Sequence, residues 1–314
     1  MTQKPLLSIC CVTYNQEKYI AQAIESFLMQ KTSFPLEILV SDDASTDSTA
    51  QIVQNYANAN PDRLKAILHS KNMGPGENFV DNLCLAQGKY IALCEGDDYW
   101  TDPLKLQKQV DYLEQHPDYS LCFHPIEYFW EDHSQISNTY PNRSTHPFVF
   151  QQPTTSLTEL AQGNFIQTNS VVYRWRFKSP QEIQQNYPGN IVPGDWLLHL
   201  LHAEKGPIGF IDEVMGRYRK HNEGRWYSTN DTDVNFWLKN GLNHIDFFNI
   251  LDKRHQHTLR PYYEMAMVSV CVNTLKAILK SGRGDLLQKY KSLYPEYYHL
   301  TYSLLFESTE AGQG

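Results

Sequence analysis

Leu6-Leu7-Ser8-Ile9-Cys10-Cys11-Val12-Thr13 is a short apolar run that ends on the polar Tyr14-Asn15, as a strand does when it lies inside a sheet and stops at its rim. Just beyond, Tyr19, Ile20, Ala23, Ile24, Phe27 and Leu28 recur at helical spacing, so strand gives way to helix. The alternation then repeats. Leu36 to Ser41 reads as a strand, Ile52, Val53, Tyr56 and Ala57 mark a helix, Leu64 to His69 a strand, Phe79 to Ala86 a helix, and Tyr90 to Cys94 a strand. Such βαβα order predicts an α/β fold around a doubly wound, mostly parallel sheet, with its ligand site outside the carboxyl ends of the strands.

Ser45 and Asp47 stand before the second helix as capping residues, and Asp102-Pro103 opens a helix that runs to about Gln115. From Asp118 to about Arg176 the pattern is mixed, with strands near Leu121 to His124 and Ser170 to Tyr173 around a loop rich in Pro, Thr and Ser. Asp195 to Glu204 predicts a helix, and beyond Asp231 the pattern is helical to the end. There Met265, Val268, Val272, Leu275, Ile278 and Leu279 predict an apolar stripe that packs on the main domain, a partner subunit or a membrane surface. The expected division is a main α/β domain over 1–228 and a helical C-terminal region over 229–314, with a disordered polar tail from Ser308.

The 314 residues carry a formal net charge of −8, which repels nucleic acid and disfavours it as a partner. The six cysteines, Cys10, Cys11, Cys84, Cys94, Cys122 and Cys271, lack C-x-x-C spacing and fall mostly in apolar runs, so they read as reduced thiols of a cytosol-like compartment. No basic, then apolar, leader precedes the first strand, and no stretch reaches the ~20 apolar residues that span a bilayer. The expected location is cytoplasmic, with contact at the inner face of the membrane if an acceptor lies there.

Each early strand ends in a polar cluster: Thr13-Tyr14-Asn15, Ser41-Asp42-Asp43, Lys71-Asn72 and Glu95-Gly96-Asp97-Asp98. On one rim, that many carboxylates would repel a bare diphosphate, so a cation or neutral donors such as ribose hydroxyls must meet them. A metal–nucleotide complex satisfies both. Two acids one small residue apart at a strand end can face a hard divalent ion, and the same four residues also suit a tight turn capped by an acid.

With Leu7 to Asn15, Glu37 to Asp47, Lys71 to Gly74 and Tyr90 to Trp100 in that order, the chain resembles family 2 glycosyltransferases of the GT-A fold. The resemblance is strong over about residues 6 to 115, traceable to about 228 and silent beyond. It implies that Thr13, Tyr14, Asn15, Asp42 and Asp43 form a pocket for base and ribose, flanked by Lys71 and Asn72. It implies that Glu95 and Asp97 are the D-x-D pair, the second acid holding Mn²⁺ or Mg²⁺ on the donor diphosphate, with Glu95 a departure from the usual Asp. Asp195 of Gly194-Asp195-Trp196 matches the expected base at a helix start; Gly194 stands where an acidic pair would begin, and a plain N-cap is the rival role. Arg217, Arg219 and His221 match a Tyr-Arg-x-His element. In a strand they share one face, where they could hold a diphosphate with His221 as an extra metal ligand, or simply form a solvated basic face. Thr168, Asn169 and Ser170 resemble an acceptor-side loop, and Trp100, His124, Trp196 and Trp226 are further acceptor-side candidates, against a core role for each.

The implied reaction is inverting transfer from a nucleoside diphosphate sugar, a UDP-sugar foremost, to a hydroxyl of a glycan or lipid-linked glycan such as a surface-polysaccharide intermediate. Asp195 takes the acceptor proton while the oxygen attacks the anomeric carbon opposite the diphosphate. A sugar-phosphate nucleotidyltransferase would show a Gly-rich, Arg-containing loop after the first strand, which Thr13-Tyr14-Asn15-Gln16 lacks. A non-catalytic domain that binds nucleotide-sugar or a partner protein is the other alternative, and a homodimer is compatible with all of them.

Overall fold

The computed structural model describes residues 4–132, 137–152, 154–189, 191–221 and 234–307. The chain divides into two compact units. One comprises Met1–Leu160, Asn164–Asn190 and Gly194–His221; the other comprises Ala161–Gly163, Ile191–Pro193 and Asn222–Gly314. The expected boundary at 228, Trp226 and the tail from Ser308 lie outside the described residues.

The first unit begins with β1 (Leu7–Thr13), α1 (Ile20–Leu28), β2 (Leu36–Asp42), α2 (Thr49–Ala59), β3 (Leu64–Leu68), α3 (Pro75–Leu85) and β4 (Tyr90–Leu93). The strands foreseen from apolar runs and the helices foreseen from 3.6-residue spacing all occur, each within a few residues of its expected bounds. After β5 (Tyr99–Trp100) and α4 (Lys105–Gln115) come β6 (Leu121–Phe123), β7 (Ile126–Trp130), β8 (Asn138–Tyr140), α5 (Pro147–Gln151), β9 (Thr154–Thr155) and α6 (Leu157–Gln162). A 3₁₀ turn at Thr168–Ser170 leads to β10 (Val172–Arg174), α7 (Pro180–Asn186), α8 (Gly194–Ala203), β11 (Ile208–Phe210) and β12 (Gly216–Lys220).

Two sheets result. The larger has the order β3-β2-β1-β4-β10-β6-β11-β9; β3, β2, β1 and β4 run parallel, and β10 is inserted antiparallel between β4 and β6. This is the doubly wound, mostly parallel sheet that was expected. Ile9, Cys11, Ile38, Val40 and Ala92 of its strands pack with Ile24 and Phe27 of α1 in one buried cluster. The smaller sheet, β5-β12-β7-β8, was not foreseen.

Capping differs in detail from expectation. Asp47 accepts the Thr49 N–H at 2.9 Å as α2 begins, whereas Ser45 binds Asp42 instead. All six cysteines are free, and five are buried, as expected of reduced thiols.

The second unit is helical: α9 (Val234–His255), α10 (Arg260–Ser281), α11 (Gly284–Leu293) and α12 (Pro295–Tyr302). Buried Asp252 of α9 accepts the hydroxyls of Tyr263 on α10 and Tyr297 on α12, tying three helices through one carboxylate. The expected stripe on α10 is corrected. The face buried there is Tyr263, Met267, Cys271, Thr274, Leu275 and Ile278, while Met265 is 89% exposed and Leu279 also faces solvent. No described helix is long and apolar enough to cross a membrane.

Candidate functional site

Because β1, β2 and β4 are parallel neighbours, Thr13, Asp42 and the turn after Leu93 meet at one edge of the sheet. In that turn the ligand oxygens of Glu95, Asp97 and Asp98 lie within 4.8 Å of one another. The turn is seated by Gly96, whose N–H donates to Val12 O at 3.0 Å. A Cβ on Gly96 would stand 2.8 Å from Thr13 Oγ1, so glycine lets the acidic turn sit directly against the first strand's end. Asp98, which was not singled out from sequence, is buried; one oxygen accepts the Arg219 N–H at 2.9 Å and the other has no hydrogen bond among the described residues. Burial, with the Asp97 and Glu95 charges beside it, raises its carboxyl well above the usual range. Clustered carboxylate oxygens, one of them buried without a donor, form a set that suits a hard divalent cation such as Mn²⁺ or Mg²⁺.

On the neighbouring side, the loops after β1 and β2 clasp each other. Asn15 N donates to Ser45 Oγ at 2.9 Å and Asn15 Oδ1 accepts the Thr46 N–H at 2.8 Å. Asp42 accepts from the Ser45 N–H, so Asn15 and Asp42 shape this loop pair. Asp43 accepts the N–H groups of Met73 at 2.7 Å and Gly74 at 2.9 Å, while Asn72 Nδ2 donates to Asp43 O at 3.1 Å. The 71–74 loop is thereby pinned against the end of β2. Tyr14, Lys71 and Asn72 are exposed there, and Thr13 is buried with its hydroxyl on Gln16.

Strand β12 sets Arg217, Arg219 and His221 at alternate positions, and their partners differ. His221 Nε2 stands 3.0 Å from Asp97 Oδ2, directly at the acidic turn. Arg219 is buried: its Nε donates to Asp97 O at 2.9 Å, its other nitrogens to Glu131 and Gln22, and its guanidinium lies 4.7 Å from the Tyr19 ring. Arg217 pairs with Glu127 at 2.7 Å and with the Tyr99 hydroxyl. Arg219 is thus no part of a solvated basic face, whereas Arg217 is paired yet partly exposed.

Asp195 opens α8, partly exposed at the surface. Its Oδ1 accepts the Trp196 N–H at 2.8 Å, and its Oδ2 meets Asn164 Nδ2 at 3.3 Å and Thr168 Oγ1 at 3.4 Å. Desolvation raises its carboxyl pKa, and these donors only partly offset that. A carboxylate so poised is a better proton acceptor than one in water. Gly194, where an acid was expected, has a reason in the packing: the Tyr187 hydroxyl occupies the place where its Cβ would be.

Several residues expected on the acceptor side are buried. Trp100 is 1% exposed, donates its indole N–H to Asn169 O and packs on Phe27; Trp196 is buried with its indole N–H on Leu160 O. Asn169 is buried and donates to Arg217 O, and His124 is fully buried. Of this group among the described residues, Thr168 reaches Asp195 with its side chain and Trp196 with its backbone N–H. What spacing missed is a trio of tyrosines on one face of the smaller sheet. Tyr128 packs edge-on to Tyr218 at 5.3 Å and on Tyr140 at 5.6 Å, and Tyr140 binds Asn164 O. Burial, then Tyr140, Asp98 and Asp195, raise the Tyr128 hydroxyl, so Tyr128 lies within the fields of both acidic centres. The period-two alternation of Tyr128 and Tyr218 in their strands was the available signal.

Two open clefts lie elsewhere. One, of about 520 Å³, is at Lys4, Phe34, Gln87 and Lys89, by the opposite edge of the parallel strands; the other, of about 740 Å³, is at Glu127, Asn138, Thr139, Arg143 and Phe150.

The sequence profile described as Glycosyl transferase family 2 matches residues 8–178, more than half of the chain. The chain belongs to glycosyl transferase family 2. Among similar proteins of this family 2 chain, an uncharacterised protein of Mycobacterium tuberculosis is 44% identical over 235 residues, covering 75% of this chain and 64% of the relative. The chain thus spans less than two-thirds of that relative's length. Among solved structures, S. aureus TarS 1–349 in complex with UDP-GlcNAc superposes with a TM-score of 0.57 at 19% identity, covering 98% of this chain and 92% of TarS. The mannosyltransferase PcManGT of Pyrobaculum calidifontis, in complex with GDP-Man and Mn²⁺, gives 0.57 at 15% identity, covering 96% and 84%. At such identities these two likenesses concern the fold.

Proposed function

We propose that this chain is an inverting glycosyltransferase that moves a sugar from a nucleoside diphosphate donor to a hydroxyl of a glycan or lipid-linked glycan. One observation carries the reading: the family 2 match covers an acidic turn, Glu95-Gly96-Asp97-Asp98, whose oxygens converge at the carboxyl edge of the sheet with His221 against Asp97. The loops bearing Thr13, Tyr14, Asn15, Asp42, Asp43, Lys71 and Asn72 would take the nucleoside. A UDP-sugar is the donor to try first, since TarS was solved with UDP-GlcNAc, and a GDP-sugar second, after PcManGT.

Asp97, with Glu95 and His221, would hold Mn²⁺ or Mg²⁺, which when bound offsets charge on the departing diphosphate. Arg217 and Arg219 support that edge of the site from β12. The Asp195 carboxylate takes the proton of the acceptor hydroxyl; the acceptor oxygen bonds to the anomeric carbon, and the bond from that carbon to the diphosphate oxygen breaks, its electron pair leaving with the nucleoside diphosphate. A single displacement inverts the anomeric centre. Thr168 and Asn164 orient the carboxylate that accepts the proton.

The test is turnover of a panel of nucleotide sugars with Mn²⁺, with Mg²⁺ and with chelator, the anomeric configuration of the released sugar or product being read by NMR. Inverted product from one donor, lost with chelator, supports the proposal; retained configuration, or no binding of any nucleotide sugar, contradicts it.

A further inference from the structure

Helix α10 is apolar on two opposite faces. Tyr263, Met267, Cys271, Leu275 and Ile278 are buried within the helical unit. Half a turn around, Tyr262, Met265, Val268, Ser269, Val272, Lys276, Leu279 and Lys280 follow one another at three- and four-residue steps, so they share a face. Tyr262, Met265 and Leu279 there are exposed, Met265 at 89%, and Val268 and Val272 are partly exposed. An ordinary surface helix places charged residues of both signs on its solvent side. This face carries two lysines towards its C-terminal end, neither in an ion pair among the described residues, and one acid at its N-terminal edge, the exposed Glu264, four residues before Val268 and about 18 Å along the helix from Lys276.

The charge around it has the same sign. Residues 234–307 contain nine Lys and Arg against six Asp and Glu, although the whole chain is at −8. From Tyr262 to Lys280 the face is roughly 27 Å long at 1.5 Å per residue, and no described helix can cross a bilayer. A helix of this kind lies in the plane of an interface, with aliphatic side chains in the acyl boundary, tyrosine at the headgroups and lysines on anionic lipid.

We propose that the outer face of α10 docks this protein on an anionic lipid surface. A second copy of the chain is the competing occupant; two lysines without ion pairs against one acid on the face, in a helical unit with an excess of Lys and Arg, favour anionic lipid headgroups. The inference is independent of the sugar transferred and of whether the acidic turn is catalytic.

The experiment is co-sedimentation of the full chain with phosphatidylcholine vesicles, with and without phosphatidylglycerol, and sedimentation velocity without lipid. The chain should bind the phosphatidylglycerol vesicles and be released by salt. Lys276→Ser with Lys280→Ser should weaken binding about twenty-five-fold, some five-fold per lysine. Met265→Ser with Leu279→Ser should also abolish sedimentation with vesicles. All four side chains are exposed, so circular dichroism and melting should match the parent. No binding to anionic vesicles, binding unchanged in both double variants, or a dimer that Met265→Ser with Leu279→Ser dissociates while the parent ignores vesicles would each overturn the proposal.

Discussion

His221 Nε2 lies 3.0 Å from Asp97 Oδ2, joining the end of β12 to the acidic turn after β4 across 124 residues of sequence. The contact explains how a turn of three carboxylates is held in one orientation, and why the histidine belongs to the site though it lies far along the chain. His221 is buried and packs on the Tyr19 ring at 4.6 Å.

Replacing His221 with Ala is therefore expected to raise the Mn²⁺ concentration needed for half-maximal turnover by about 10- to 100-fold, the usual effect of losing a group that supports a metal ligand or binds the ion. Asp97→Asn should remove metal-dependent donor binding altogether. Titration of donor hydrolysis against Mn²⁺ measures both.

The pH dependence should report Asp195. Desolvation raises its pKa, so the acid limb of the rate profile should lie above the ordinary carboxylate range, turnover falling as the pH drops through it. The Thr168 hydroxyl stabilises the charged form, so Thr168→Val should move that limb to higher pH. A limb that moves down, or does not move, would show that the contact does not tune the base.

Tyr187 should decide what residue 194 can be. Its hydroxyl fills the place of a Cβ on Gly194, and its Cζ is at an ordinary 3.5 Å. Gly194→Ala should cost about 1–3 kcal/mol by overpacking, and most of that should return when Tyr187→Phe removes the hydroxyl. Chemical denaturation of the two single variants and the double variant measures the coupling.

Lys105 is a buried amine under Trp100, its Nζ donating to Gln109 and lying 4.2 Å from the indole. Burial pushes it down from 10.5 to about 7. Between those values the unfolded chain binds a proton that the folded chain does not, so this lysine's contribution to stability rises with pH, and its full cost applies below about 7. The advantage of Lys105→Met over the parent should shrink by about 1.4 kcal/mol per pH unit across that window. Urea melts at several pH values test the slope.

The parallel half of the fold was legible because each strand is a continuous apolar run and each helix shows a 3.6-residue stripe. The smaller sheet was not: its β5 and β8 have two and three residues, too few to show a period. That is why the sheet that carries Arg217 and Arg219, with His221 just past its β12, was invisible as a sheet. Alternation put these three on one face but could not reveal that Glu127 and Glu131, some 90 residues earlier, neutralise the two arginines. Trp100 and Trp196 sit beside functional residues in sequence, yet their indoles point to backbone carbonyls in the core. On α10 the sequence pattern held two apolar faces at once, and only burial separates the one that packs inside the unit from the one that meets solvent.

The most direct test of the account compares donor binding with turnover in Asp195→Asn. The amide keeps the shape of the carboxylate and loses its proton affinity. The account predicts unchanged nucleotide-sugar binding by calorimetry and a rate lowered by about 10²- to 10⁴-fold. Turnover within a few-fold of the parent would contradict the assignment of Asp195 as the base, and loss of donor binding would mean that it serves the donor pocket instead.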